Sequence, residues 1–172
     1  MLLGALLSVF KLLAVAIGAG AATVMIAQSL AASEDKVISK DEDRLLRVVA
    51  LTARAGLLLL IIFQTCITAL SLKTVLYAGE YVIALRSVDV LTWSLIAVLF
   101  VTVVFIDYHI ITRRIGAALQ IATWYSLVFV TAWPFTVPLQ IDSFVFAYLF
   151  FAITSVFIIE RSHLFTRNTQ KT

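Results

Sequence analysis

Five long apolar stretches, separated by short clusters of charge, dominate this chain and limit the folds open to it. They cover residues 12–30, 48–72, 90–106, 115–135 and 143–159, and the first extends back to Leu2 if Lys11 is tolerated within a longer helix. Each has about 17 to 25 residues, the length that an α-helix needs to cross a bilayer. The pattern predicts an all-α fold: a polytopic transmembrane bundle of five membrane-spanning helices in one domain.

The composition agrees with a chain that meets lipid rather than water. Of its 172 residues, 62% are hydrophobic and 13% are charged, about half of the ~25% charged residues found in soluble domains. The 13 Lys and Arg residues are scattered between the apolar stretches, whereas nucleic-acid-binding proteins cluster them on one face. The lipid bilayer is therefore the expected partner, and nucleic acid is not. Cys66 is the single cysteine, so an intramolecular disulfide is excluded.

The basic residues also predict the orientation. With the N-terminus outside, nine fall in cytoplasmic segments and two, Lys73 and Arg86, fall outside; Lys11 and Arg54, at or just inside span ends, are left out of the count. The nine are Lys36, Lys40, Arg44, Arg47, Arg113, Arg114, Arg161, Arg167 and Lys171. The positive-inside rule then favours N-out and C-in, with residues 33–47 as a cytoplasmic connector. Residues 73–89 are too polar to span and are expected to lie along the outer interface.

A cleaved signal peptide over residues 1–32 is the rival interpretation of the first stretch, with cleavage near Ala31, Ala32 and Ser33. Signal peptides begin with basic residues and have an apolar region of roughly 7 to 15 residues. The first ten residues here have no basic side chain and the apolar stretch is longer. A membrane-spanning helix is the better interpretation.

Polar residues at the borders of the stretches predict helix ends. Ser39 and Glu42 form a capping-box pattern, so a helix should begin near Lys40 and continue into the second span. Asp89 and Asp142 are expected to be the N-caps of the third and fifth spans. Lys11 is expected at the outer end of the first span, where its ammonium group can snorkel to the interface.

Small and polar residues inside the spans predict how the helices pack. Ala14, Gly18 and Ala22 recur every four residues and predict a helix–helix contact face. Three spans also carry polar residues: Gln64, Thr68 and Ser71 on the second, Gln120 and Thr131 on the fourth, and Ser155 on the fifth. Turned inward, they give a weakly polar interior. They either hydrogen-bond neighbouring helices or line a path for a solute.

The remaining candidates lie near span ends. Arg54 and Asp107 fall at the same depth on the inner side and predict an ion pair, unless each reaches the headgroups alone. Glu80, Arg86 and Asp89 are interpreted as a solvated outer face. His109 and His163 both emerge on the cytoplasmic side. They could ligate haem iron or a transition metal, although histidines are common at interfaces and no cofactor is otherwise implied.

Part of the chain resembles a known group of proteins. Residues 14–23 read Ala-Val-Ala-Ile-Gly-Ala-Gly-Ala-Ala-Thr, residues 38–42 read Ile-Ser-Lys-Asp-Glu, and Leu45-Leu46 follow. Through these motifs, residues 12–59 resemble the first helical hairpin of a group of small, uncharacterised bacterial membrane proteins. Members often have a histidine where this chain has Lys11. The resemblance implies a bacterial cytoplasmic membrane and carries no activity with it.

No catalytic constellation is present in the sequence, and the spans predict an interior without buried charge. Ionisable residues inside the membrane usually mark transport paths. The leading hypothesis is therefore a non-catalytic subunit or scaffold that packs against itself or a larger membrane complex. One alternative is a small oligomeric transporter or channel whose path is lined by Gln64, Thr68 and Gln120. Another is a haem-binding electron carrier that uses His109 and His163.

Overall fold

The architecture is all helical over the part of the chain that the structure describes. The computed structural model describes residues 2–35, 40–75, 81–133 and 139–168, with side chains over 2–27, 44–70, 87–112, 115–133, 139–159 and at 161. The helices are α1 (Leu2–Asp35), α2 (Lys40–Val75), α3 (Tyr81–Asp107), α4 (Arg113–Ala132) and α5 (Ile141–Asn168). The described residues include no strand.

Every helix contains a segment long and apolar enough to cross a membrane. These segments are Leu2–Ala27, Arg44–Leu70, Ser87–Asp107, Ile115–Ala132 and Ile141–Ile159. The predicted fold class, an all-α bundle of five potential membrane-spanning helices, is confirmed. The N-out orientation stays a prediction.

α1 begins at Leu2, the earlier of its two expected starts, so Lys11 lies inside it. Two other helices begin before the expected residue. α3 begins at Tyr81, which puts Asp89 more than two turns inside the helix and excludes it as an N-cap. α5 begins at Ile141, so Asp142 lies in the first turn, where a carboxylate still interacts favourably with the helix dipole. The outer interfacial segment expected over 73–89 is helical up to Val75 and again from Tyr81.

α2 begins at Lys40, where the capping-box pattern predicts it. Ser39, the expected cap, lies outside the described residues.

α1 and α2 pack antiparallel with their backbones in close approach. A Cβ atom on Gly56 of α2 would lie 3.1 Å from the Gly18 nitrogen and 3.2 Å from the Ala14 carbonyl oxygen of α1. Ala14 and Ala22 are buried on the same face. Close backbone contact through small residues gives dense van der Waals packing, which drives helix association in lipid. The face formed by Ala14, Gly18 and Ala22 is therefore a helix contact.

α4 is the central helix and packs against α1, α3 and α5. Its Trp124 is buried against Gly18, where an added Cβ would meet the indole at 2.2 Å. Hydroxyl contacts join α4 to its neighbours: Thr123 Oγ1 is 3.0 Å from the Tyr148 oxygen, and Tyr125 is bonded similarly to Thr23. Gly18 therefore serves two helix contacts at once.

A tight turn joins α3 to α4. His109 has a φ of 56°, the left-handed conformation in which glycine usually ends a helix. The amide of Ile110 donates to the Phe105 carbonyl at 2.9 Å, and that of His109 donates to the Ile106 carbonyl at 3.1 Å, as in a Schellman motif. Thr112 then caps α4 by accepting from the Ile115 amide.

Candidate functional site: a buried polar centre

Lys11 is the unexpected feature of the interior, since its side chain is only 7% exposed. It lies three, seven and eleven residues before Ala14, Gly18 and Ala22, so it shares their buried face. It is about 14 Å along the helix axis from Leu2. The expectation that Lys11 snorkels at a helix end is wrong, because α1 extends nine residues further and turns this face towards α2.

A hydrogen-bond network surrounds Gln64, whose side chain is completely buried. Gln64 Nε2 donates to Asp89 Oδ1 at 2.9 Å and to Thr68 Oγ1 at 3.3 Å. The indole of Trp93 donates to the same Thr68 oxygen at 3.2 Å. These residues connect α2 to α3. Together with Lys11 they are called the polar centre: Lys11, Gln64, Thr68, Asp89 and Trp93.

Asp89 supplies the negative charge of the polar centre. It is half-buried, and its carboxylate exerts a Coulombic attraction on the Lys11 ammonium. Such attraction is stronger in a low-dielectric interior than in water. It offsets part of the cost of an isolated charge in the membrane, on the order of 2.5 to 3.5 kcal/mol on insertion scales. The expectation of a solvated face is therefore wrong for Asp89; the side chains of Glu80 and Arg86 lie outside the described residues.

One hydrogen-bond acceptor of the polar centre, on Gln64, has no donor among the described residues. Both N–H groups of Gln64 are used, whereas Gln64 Oε1 is buried and accepts no hydrogen bond from the described residues. Turning the amide over would set Oε1 against the Asp89 carboxylate, two acceptors facing each other, so the network itself favours the observed orientation. An orphaned acceptor costs roughly 1–3 kcal/mol. The arrangement suits a ligand that brings a positive charge or a donor.

The other predicted interior residues lie apart from the polar centre. Gln120 is buried in α4, Ser155 is half-buried in α5, and Thr131 Oγ1 is a second buried oxygen without a described donor. Over the described side chains, no hydrogen bond joins these three residues to Gln64. The side chain of Ser71 lies outside the described residues. The structure thus brings Gln64 and Thr68 together but does not assemble the whole predicted set.

Arg54 and Asp107 are brought together at the opposite end of the bundle. Arg54 Nη2 lies 2.6 Å from Asp107 Oδ1, and both side chains are about half exposed. An ion pair with this exposure contributes about 0–1 kcal/mol. It joins α2 to α3, like the Gln64–Asp89 hydrogen bond.

The structure places His109 on the exposed turn after α3. The side chain of His163 lies outside the described residues. Over the part of the chain that the structure describes, no group of three His, Cys, Asp or Glu residues could hold a metal ion.

The sequence does indicate that Lys11 is buried, although the bounds of the apolar stretches do not show it. A lysine three residues before Ala14 must share the face of Ala14 and Gly18, whatever the depth at which the span begins. Asp89 gives no such signal, because its pairing with Gln64 depends on how α2 and α3 are placed along their axes.

Comparisons with family models, with curated proteins and with solved structures find no match to this chain.

Proposed function

We propose that this protein is a small membrane transporter that binds its solute or ion at the polar centre. The observation that supports the proposal is Lys11, a lysine buried among apolar helices and electrostatically coupled to Asp89. The subunit or scaffold hypothesis rested in part on an interior without buried charge, and the burial of Lys11 weakens that part of its support.

Energetics favour a functional role for this charge. Replacing buried charged groups with well-packed apolar residues is often neutral or stabilising, so stability alone gives no reason to keep a lysine that is 7% exposed at position 11. Ionisable residues in membrane proteins usually face a path for ions, protons or solutes. Gln64, which donates to Asp89, also has a buried side-chain oxygen that accepts no hydrogen bond from the described residues.

Flux measurements test the proposal. The purified full chain is reconstituted into liposomes that contain a pH-sensitive dye, and gradients of sodium, potassium or small amines and carboxylates are imposed in turn. We expect at least one gradient to drive a flux that falls at least tenfold in Lys11→Met and in Gln64→Leu. Arg54→Met, which breaks the exposed pair, is the control and should retain the flux. An absence of flux under all gradients, or equal flux in every variant, would refute transport.

The orientation is proposed with it: N-terminus outside, C-terminus inside, in a bacterial cytoplasmic membrane. The support is the excess of Lys and Arg in the segments assigned to the inside. A reporter fused after Thr172 should remain cytoplasmic, and one placed after Thr136 should be exported. The opposite result at either position would reverse the assignment.

A further inference from the structure

Four of the helices form a ring whose sides are not equally tight. Each of α1, α2, α3 and α4 packs against the next, α4 packs against α1, and α5 lies outside the ring, mainly against α4. The contact between α2 and α3 is much less extensive than the other three. On the neighbouring side, an added Cβ on Gly56 would lie 3.1 Å from the Gly18 nitrogen, so α1 and α2 are in close backbone approach.

The residues on α2 and α3 explain the looser side. Leu57 and Leu60 of α2 and Leu95 and Leu99 of α3 belong to one buried cluster. Long side chains keep helix backbones further apart than glycine and alanine do. α2 and α3 therefore meet through side chains, without the close backbone packing that joins α1 to α2.

Polar side chains join α2 to α3 at two depths. Gln64 Nε2 donates to Asp89 Oδ1 at 2.9 Å near the start of the α3 span, and Arg54 lies 2.6 Å from Asp107 at its end. Asp89 is half-buried, and Arg54 and Asp107 are about half exposed. Groups that leave such contacts can bond to water instead, so the contacts stabilise this side only weakly.

The side of the ring opposite to α2–α3 is the α1–α4 contact. Trp124 is buried against Gly18 there, and the hydroxyl oxygens of Thr23 and Tyr125 lie 3.1 Å apart. When one side of a ring of four rods opens, the opposite side is the pivot. In many transporters one group of helices rocks as a rigid body against another, and moving elements are those with few packed contacts.

We infer that the α1–α2 pair swings away from the α3–α4 pair about the α1–α4 contact, so that the bundle opens between α2 and α3. This motion breaks the Gln64–Asp89 hydrogen bond and uncovers Gln64, whose side chain is completely buried in the closed bundle. As a route to the polar centre the inference rests on the proposed function. The opening itself is measurable without transport.

Distances between spin labels on the purified full chain test the opening. In a Cys66→Ser background, labels are attached at Leu58→Cys and Phe100→Cys, which replace exposed residues of α2 and α3. We expect two distances across this side of the bundle, one for the closed and one for the open state. Labels at Ile17→Cys and Phe129→Cys, exposed positions on α1 and α4, are the matched control and should give one distance.

Removing the exposed link should favour the open state. Arg54→Met, combined with the same labels, should increase the population at the longer α2–α3 distance about two- to fivefold, the factor that the loss of a half-exposed ion pair allows. A single α2–α3 distance in both proteins would overturn the inference. Two distances across α1–α4 would also overturn it, because the pivot would then lie elsewhere.

A reversible cross-link connects the opening to transport. Arg54→Cys and Asp107→Cys, in the same background, are joined by a short bifunctional methanethiosulfonate reagent. The cross-link should stop the liposome flux, and a reductant should restore it. Thr23→Cys and Tyr125→Cys are joined in the same way across α1–α4 and should keep the flux. Full flux through the protein cross-linked between α2 and α3 would refute the opening as the route of the solute.

The two measurements separate this inference from the proposed function. Two α2–α3 distances with no flux under any gradient would refute transport and leave the opening standing. Flux with a single α2–α3 distance in both proteins would refute the opening and leave transport standing.

Discussion

Lys11 and Asp89 show how one residue pair changes the interpretation of the whole interior. Lys11 is buried on the contact face of α1, and the Asp89 carboxylate attracts it electrostatically from α3. The attraction to Asp89 offsets part of the cost of burying the Lys11 ammonium. Removing one leaves an uncompensated charge, which typically costs several times more than removing both.

We therefore predict non-additive effects on stability. Lys11→Met alone should lower the free energy of unfolding, and adding Asp89→Asn should recover part of that loss. The expected coupling energy is about 0.5–3 kcal/mol, the range for residues in one network. Thermal unfolding of the two single variants and the double variant in one detergent measures it. Additive losses would mean that the two groups do not interact.

His109 is a second residue with a specific prediction. Its φ of 56° costs a side-chain-bearing residue roughly 1–2 kcal/mol, and glycine avoids this cost. His109→Gly should therefore leave the protein as stable or up to about 1 kcal/mol more stable, whereas His109→Val should destabilise it. Thermal unfolding of the two variants checks the order. A marked loss in His109→Gly would instead show that the imidazole itself makes a stabilising contact.

At the scale of elements, the α1–α2 contact depends on the absence of side chains. A Cβ atom added to Gly56 would lie 3.1–3.2 Å from backbone atoms of Gly18 and Ala14. Backbone atoms cannot rotate away as a flexible side chain can. The contact therefore has little room for any larger residue.

Gly56→Val should separate the two helices and destabilise the protein by about 1–3 kcal/mol, the usual cost of overpacking. Gly20→Val is the matched control, because a Cβ on Gly20 meets nothing within 4 Å; it should change stability by less than about 0.5 kcal/mol. Unfolding in detergent compares the two. Equal losses would argue against close backbone packing at Gly56.

The elements also show what sequence reasoning can and cannot reach. The five apolar stretches and the start of α2 at Lys40 follow from residue type and spacing, and so does the small-residue face of α1. The start of α3 does not, and the start of α1 stays open between two alternatives, because the hydropathy pattern breaks at Asp89 and Lys11 while the backbone continues through both. The Gln64–Asp89 hydrogen bond depends on tertiary packing, which spacing within one helix cannot reveal.

At the scale of the whole molecule, the bundle is organised around α4 rather than around the first hairpin. Trp124 lies at the junction of α4 with the α1–α2 pair. α5 lies at the periphery and exposes Phe146, Phe150 and Phe157, as lipid-facing residues do. The loss in free energy of unfolding when an aromatic residue is truncated should therefore depend on the helix in which it lies.

Trp124→Ala should cost about 3–5 kcal/mol, because it leaves a cavity that the three helices cannot close. Phe150→Ala on α5 should cost less than about 0.5 kcal/mol in detergent, since its ring is mostly exposed. Thermal unfolding and the yield of monodisperse protein report both. If Phe150→Ala were as damaging as Trp124→Ala, α5 would have a packing partner other than lipid.

The two links between α2 and α3 differ in how they meet their surroundings. Buried Gln64 and half-buried Asp89 connect the helices by one hydrogen bond, and Arg54 and Asp107 connect them at a half-exposed end. Mobile ions screen exposed charges over about 8 Å at physiological ionic strength and buried ones much less. A rise in salt should therefore weaken the Arg54–Asp107 ion pair more than the Gln64–Asp89 hydrogen bond. The contact between α2 and α3 should then loosen at the Arg54 end only.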